Sequence, residues 1–347
     1  MRVVVNAHAA SYGSAHERAF GEGLLRQLPG LLTDASFFFE KDVDSHLLRP
    51  PNVTAVGFGD PDGDAEGAWY LSIGRSHYVQ EKLVLIVLNL DHALWPVRKW
   101  FGLMKTADYL LGDLPAAKAV IVPTKTIKTH LSDLYGVPSF EITVVGHGLP
   151  EPDHRITPAD PVTRRITKET YGNEHSFFFA PCYGHASDNM ERLFAAYDLF
   201  RARCPEPVRL LVQDAEHSRA VRKALKRSTF SDDIVLLPHL SRHDYQKIFT
   251  SARAILFPSL STRFPLPVLD AWTAEVPVLY TDNDILQGAG TLVQGEDVKS
   301  IAEGMVALVT TPFLASGLVE NGKRRREDFR WAGVAERVAE VLRAINT

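Results

Sequence analysis

The stretch AILFPSLSTRFPLPVLDAWTAEVPVLYT (254–281) decides the fold. Its first four residues are apolar without alternation, and the run stops at Phe257 before Pro258 and Ser259. Such a strand is apolar on both faces, as strands are in parallel sheets covered by helices. A short loop follows, then a helical pattern that starts near Phe264 to Pro267, then a second apolar run, VPVLY (276–280). Strand, loop, helix and strand in this order make one β/α unit of a parallel sheet.

The same alternation continues outward in both directions. SFFFA (176–180), VRLLVQ (208–213) and DIVLL (233–237) read as further strands. Between them lie helical patterns over 189–203 and 241–249, the latter opened by Ser241 with Asp244 three residues on. The first half repeats the scheme with RVVVN (2–6), SFFF (36–39), VTAVG (53–57), LVLIVL (83–88), AVIV (119–122) and EITVV (141–145). Helices are expected over 16–28, 98–111 and 126–135, and a last one over 331–346. Residues 149–168 hold four prolines and many charges without periodicity, which marks a domain boundary.

Composition sets the outer limits. The chain has 347 residues, enough for about two domains. With 45% apolar and 23% charged residues it can bury two cores. A net charge of −4 gives no field to hold a nucleic-acid backbone. Cys182 and Cys204 make no disulfide framework and lack the spacing of a zinc site. The N-terminal apolar run is too short for a signal-peptide core, and no run reaches the roughly 18 residues of a membrane helix. A soluble, cytoplasmic protein is the expectation. Lys323–Arg324–Arg325–Arg326 reads as the solvated end of a helix and leaves peripheral membrane contact open.

Within 254–281, Pro258, Ser259, Phe264, Leu266, Pro267 and Ala271 fall in register with P-S-x-x-E-G-F-G-L-P-x-x-E-A. This resembles the donor-binding signature of the "group 1" glycosyltransferases of the GT-B fold. The segments 119–150 (with Tyr135–Gly136–Val137–Pro138), 176–205 and 232–252, and Phe329–Arg330–Trp331, resemble other parts of that family in the same order. The resemblance covers 119–347 well and 1–118 loosely. It implies two Rossmann-like domains facing each other across a cleft. Residues 1–155 would form the acceptor domain, 165–328 the donor domain, and 329–347 a helix returning to the first domain. It also implies sugar transfer from a nucleotide-diphosphate donor with retention, without a metal, a covalent intermediate or a cofactor.

In that family the helix after the signature loop points its N-terminus at the diphosphate, where backbone N–H groups and the helix dipole hold the anion. Two glutamates contact the sugar and the ribose. Here those positions are Thr262 and Asp270, and the two loop glycines are Arg263 and Pro265. Pro265 and Pro267 each lack an N–H donor. The family's lysine before Asn189 is Asp188. A carboxylate 4 Å from a phosphate charge costs on the order of 4 kcal/mol at an effective dielectric near 20. Asp188 has a second reading as the N-cap of the 189–203 helix.

By this resemblance the donor would meet Tyr183, Gly184, Asn189, Arg263, Phe264, Leu266 and Asp270. Arg263 would supply the phosphate fork, unless it is a solvated surface cation. The acceptor would meet Ser11, Tyr12 and Gly13, and Asp91 or His92 would polarise it, unless that pair caps its loop. His147 reads as structural. Two functions stand: a transferase, or a non-catalytic GT-B protein serving as a binding module or partner subunit. The lost cations and glutamates favour the second, the intact frame the first.

Overall fold

The computed structural model describes residues 1–6, 15–40, 49–56, 67–75, 82–94, 108–149, 156–213, 218–281 and 288–346. The chain divides into two units. The first is Met1–Glu151, Thr262–Phe264 and Phe329–Thr347; the second is Pro152–Ser261 and Pro265–Asp328.

The first unit is built on β1 (Arg2–Asn6), β2 (Ser36–Glu40), β3 (Val53–Val56), β4 (Trp69–Ile73), β5 (Leu83–Ile86), β6 (Ala117–Val122) and β7 (Ile142–Val144). Their order is β3-β2-β1-β4-β5-β6-β7, with every pair parallel. Successive side chains go to opposite faces. Val3, Val5, Phe37 and Phe39 join one apolar cluster. Val4, Phe38 and Tyr70 join another.

The first face is covered by the helices Ala15–Leu25 and Trp331–Ile345, through Phe20, Leu24, Val334, Val338 and Leu342. Trp331 lies where the backbone of Gly23 and Gly148 leaves room: a Cβ at either would fall against its ring. Its Nε1 donates to Leu149 O at 2.7 Å. The second face is covered by Lys125–Tyr135, which buries Ile127 and Leu131 and is capped by Thr124 (Ile127 N to Oγ1, 3.1 Å).

The second unit carries β8 (Ser176–Ala180), β9 (Val208–Val212), β10 (Ile234–Leu236), β11 (Ala254–Phe257), β12 (Val278–Thr281) and β13 (Thr291–Val293). The order is β10-β9-β8-β11-β12-β13, again all parallel. The helices Met190–Arg203 and Val298–Thr310 pack on Phe178, Leu210, Val212 and Leu256. In each sheet the winding reverses beside the first strand, at β1/β4 and at β8/β11. Ligands of open α/β sheets bind at the carboxyl ends of the strands at such points.

Several elements differ from expectation. The helix foreseen over 16–28 ends at Leu25, and a short turn, Leu28–Leu31, follows with Pro29 in its first two positions, where proline is tolerated but cannot continue the preceding helix. Most of the helix foreseen over 98–111 lies outside the described residues; the described helix is Leu110–Ala116. The aperiodic boundary contains a helix, Pro161–Gly172. Asp160 caps it by accepting from Val162 N (2.9 Å) and Thr163 N (3.0 Å), and it buries only Thr167 and Gly172. β4 and β13 were not foreseen, and the basic run 323–326 falls at the end of a helix, Pro312–Arg325. The signature helix begins at Leu266, within the expected range, with Pro265 at the N-cap.

Candidate functional site

In the second unit, two loops leave adjacent strands at the switch point. The loop after β8 runs from Pro181 through Tyr183, Gly184 and His185 to a 3-10 turn, Ala186–Asp188. Asp188 is buried, and its Oδ2 accepts from Tyr183 N and His185 N, both at 2.8 Å. It therefore holds its own loop. The expectation that it caps the 189–203 helix is corrected: that helix starts at Met190, with Asn189 in the left-handed region (φ 63°) and no side-chain cap. Burial raises the Asp188 carboxyl, and the two N–H groups pull it back.

Asn189 joins three loops. Its amide donates to Pro258 O (3.0 Å) and Gly295 O (2.6 Å), and its Oδ1 accepts from Arg192 (3.1 Å). The loop after β11 is tied to the first by Leu260 N to Ser187 O (2.8 Å) and Ser259 Oγ to Ser187 O (3.1 Å). The helix Leu266–Ala274 follows. Val268 N is taken by Pro265 O at 3.0 Å, and Pro267 has no N–H, so Leu266 presents the N–H of this first turn. One turn on, Asp270 is half-buried, and burial pushes its carboxyl up to about 7.

Tyr245, in the first turn of Arg242–Ser251, belongs to the same region. Burial first, then the charges of Tyr183 and Asp270, raise its hydroxyl well above the usual value. Tyr183 itself is half exposed. Sequence reasoning did not select Tyr245. Its signal is positional, because the start of a helix that precedes a parallel strand lies at the carboxyl edge of the sheet.

The first unit gathers a different group. Asp91 and His92 open a single helical turn, Asp91–Leu94, beyond the end of β5. Asp91 is buried, and its Oδ1 accepts from Thr262 N (2.8 Å) and Thr262 Oγ1 (2.9 Å). Its Oδ2 pairs with Arg263 Nη1 at 3.1 Å. Arg263 is thus partly buried on a carboxylate. Phe264 is also buried. Its N–H donates to His16 Nε2 (3.2 Å), and its ring stacks on His147 at 4.4 Å.

His147 donates from Nδ1 to Gly148 O (2.7 Å) and packs on Trp331 and Phe20. Burial pushes His147 down to about 4. Burial, then His147 and Arg263, hold His16 well below the imidazole range.

His92 is turned away from this group. Its Nε2 lies 3.0 Å from Asp108 Oδ1, and Tyr135 Oη donates to Asp108 Oδ2 at 2.5 Å. The His92 ring stacks on Tyr109 at 5.3 Å. Leu110 N also donates to Asp108 Oδ1 (3.2 Å). Burial raises the Asp108 carboxyl, but the bonds from Tyr135 and His92 outweigh it and hold it below its ordinary value.

The structure therefore brings together Tyr183, Gly184, Asn189, Leu266 and Asp270 in the second unit. It groups Asp91, Arg263 and Phe264 in the first. Ser11, Tyr12 and Gly13 lie outside the described residues. No group of three or more His, Cys, Asp and Glu residues placed to hold a metal occurs among the described residues. No single helix among them is long and apolar enough to cross a membrane.

Residues 174–311 match the model of the family Glycosyl transferases group 1. No curated protein sequence matches the chain. Solved structures resemble it over nearly its full length. A sucrose-phosphate synthase from Thermosynechococcus elongatus superposes with a TM-score of 0.71 at 13% identity, covering 99% of this chain and 98% of that one. A glycosyltransferase from Rickettsia africae gives 0.68 at 12% identity, covering 100% and 98%. HepE from Anabaena, solved in complex with UDP and glucose, gives 0.67 at 12% identity, covering 99% and 100%. Two parallel sheets wound in this order, and the likeness to these structures, give the chain the GT-B fold, and its residues 174–311 match the group 1 glycosyltransferase model.

Proposed function

We propose that the protein transfers a sugar from a nucleoside-diphosphate donor to a hydroxyl acceptor. The observation that carries this reading is the helix Leu266–Ala274. It sets the Leu266 N–H at its first turn and the Asp270 carboxyl one turn later, at the positions where the signature has its anion-binding turn and its carboxylate. The match over residues 174–311 and the likeness to HepE, solved with UDP and glucose, support the class of donor.

In this reading the Leu266 N–H and the helix dipole meet the diphosphate. Asp270 meets a ribose hydroxyl, and Tyr183 and Gly184 border the nucleotide. His92 meets the acceptor hydroxyl. Asp91 is excluded from that task, because both of its oxygens are engaged by Thr262 and Arg263. Retention, independence of metal and the lack of a resident cofactor are carried with the reading from the family resemblance. A cytoplasmic location is carried with the reading as well, from the sequence.

The ion pair of Arg263 with Asp91 favours a second reading, a non-catalytic nucleotide-binding or partner subunit, because it occupies a cation the phosphate would need. Thermal shift with UDP, GDP and ADP, and with their sugar conjugates, separates the two. A nucleotide at 100 times its dissociation constant stabilises by about 2.7 kcal/mol, a rise of several degrees. Product formation with the stabilising donor then supports transfer, and stabilisation without turnover supports the binding subunit. If no nucleotide moves the melting temperature, transfer and nucleotide binding both fail, and the partner subunit is the reading left.

A further inference from the structure

We infer that the exposed face of the helix Arg219–Leu225 is a docking surface for an anionic lipid bilayer. This surface lies wholly within the second unit. The helix follows β9 and is capped by Ser218, whose Oγ accepts from Val221 N at 3.4 Å. It buries Val221 and Ala224 in the cluster that includes Leu193, Phe194 and Tyr197. That choice of inward face turns Arg219, Arg222, Lys223 and Lys226 outward, and all four are exposed. Their spacing, i, i+3, i+4 and i+7, makes one helical stripe. Lys226, at the C-cap, still has helical backbone (φ −62°, ψ −17°), so the stripe is unbroken.

A helix face that only meets water interleaves acids with its cations. Residues 219–227 hold five cations and no acid, in a chain of net charge −4. Asp214 and Glu216, which precede them, lie outside the described residues and leave the stretch 214–227 net positive. Among the described residues only Arg227 of the five has a carboxylate partner, Glu191 at 2.8 Å. Like charges three and four residues apart weaken a helix, and Arg219 sits at the positive end of the dipole, so local folding does not call for this pattern. The other basic run is the reverse case. Lys323 pairs with Glu275 (2.8 Å) and Glu320 (3.0 Å), Arg325 with Asp328 (2.9 Å) and Arg326 with Glu327 (3.7 Å). That run is neutralised by its neighbours, and the 219–226 stripe is not.

Four exposed cations along one side of a helix do not enclose a single small anion. They gain affinity by meeting many anions at once, as the headgroups of an anionic bilayer present them in one plane. The exposed apolar residue of the helix, Ala220, is too small to anchor in the acyl region, so docking is electrostatic and salt weakens it. Each cation held near such a surface raises the partition coefficient about five-fold.

Co-sedimentation of the full chain with vesicles tests this, in low and in high salt. Vesicles of phosphatidylcholine alone are compared with vesicles of phosphatidylcholine and phosphatidylglycerol. Binding is expected only to the anionic vesicles, and it should fall as salt rises. Arg222→Gln with Lys223→Gln should lower the partition coefficient about 25-fold. Adding Arg219→Gln and Lys226→Gln should bring binding down to the level of the neutral vesicles. Glutamine keeps helix propensity at these exposed positions, and circular dichroism checks the fold. If the fourfold variant does not fold, the double variant decides. Arg324→Gln with Arg325→Gln should leave binding unchanged. Equal sedimentation with both kinds of vesicle, or undiminished binding by the Arg222/Lys223 variant, overturns the proposal. Retention on heparin without binding to anionic vesicles assigns the stripe to a soluble polyanion and overturns it as well. These readouts need no nucleotide sugar, so they stand apart from the transfer reaction.

Discussion

Thr262 gives both its backbone N–H and its hydroxyl to one oxygen of Asp91, at 2.8 and 2.9 Å, while Arg263 takes the other. The same hydroxyl accepts from Leu90 N at 2.7 Å. At the position of the family's first glutamate, this chain thus has a short side chain that joins two backbone segments of the first unit. Asp91→Ala removes the acceptor of two hydrogen bonds and leaves Arg263 without this carboxylate. A loss of about 2 kcal/mol is expected in urea unfolding, tempered because Arg263 is partly solvated. Thr262→Ser should cost far less, since it keeps the hydroxyl.

Asp270 makes stability fall as pH rises. Its carboxyl is raised to about 7 in the fold, above its ordinary value near 4. The folded state therefore binds the proton more tightly than the unfolded chain. The stabilisation is complete below about pH 4 and is lost progressively up to about pH 7. Asp270→Asn abolishes that slope. Melting temperatures across pH 4 to 8, in the variant and the parent, check it, and parallel curves would refute the burial assigned to this carboxyl.

The two buried histidines act in the opposite sense. His147 is depressed to about 4 and His16 is also lowered, so the unfolded chain binds their protons more readily. Stability then falls as pH drops from about 6.5 toward 4. His147→Phe keeps a ring against Trp331 and Phe264 but cannot titrate. It should flatten the acid limb of the melting profile, at a cost near 1 kcal/mol for the donor lost to Gly148 O.

Trp331 holds the last helix to the first sheet. Trp331→Ala opens a cavity against Gly23 and Gly148 and leaves Leu149 O without its donor, which predicts a loss of about 3–5 kcal/mol. Gly23→Ala attacks the same contact from the other side by overpacking, at about 1–3 kcal/mol. Denaturant unfolding of both variants measures this, and a neutral Gly23→Ala would show that the contact is loose.

Much of the architecture was legible because buried parallel strands advertise themselves. Phe37, Phe38 and Phe39, or Phe177, Phe178 and Phe179, are apolar on both faces and leave little choice of fold. β4 was missed because Trp69–Ile73 is interrupted by Ser72, which is buried and accepts from Asn6 at the end of β1 (3.4 Å). The helix Pro161–Gly172 was missed because it has little inward face: Val162 and Ile166 are exposed, so no apolar stripe reveals it. In the candidate site, the family resemblance pointed to Asp91, Arg263 and Asp270 but not to their partners. That Arg263 meets Asp91, that Asn189 meets Pro258 and Gly295, and that Asp108 meets His92 are facts of tertiary convergence. Periodicity carries no information about them.

The segment Phe329–Thr347 belongs to the first unit although the second precedes it in the chain. A premature stop at residue 328 would leave nearly every residue of the second Rossmann unit translated. It would strip Trp331, Val334, Val338 and Leu342 from the sheet that is synthesised first. Nascent chains must therefore keep that groove uncovered until Trp331–Ile345 has been made, and damage to this helix would be felt in the sheet that opens with β1.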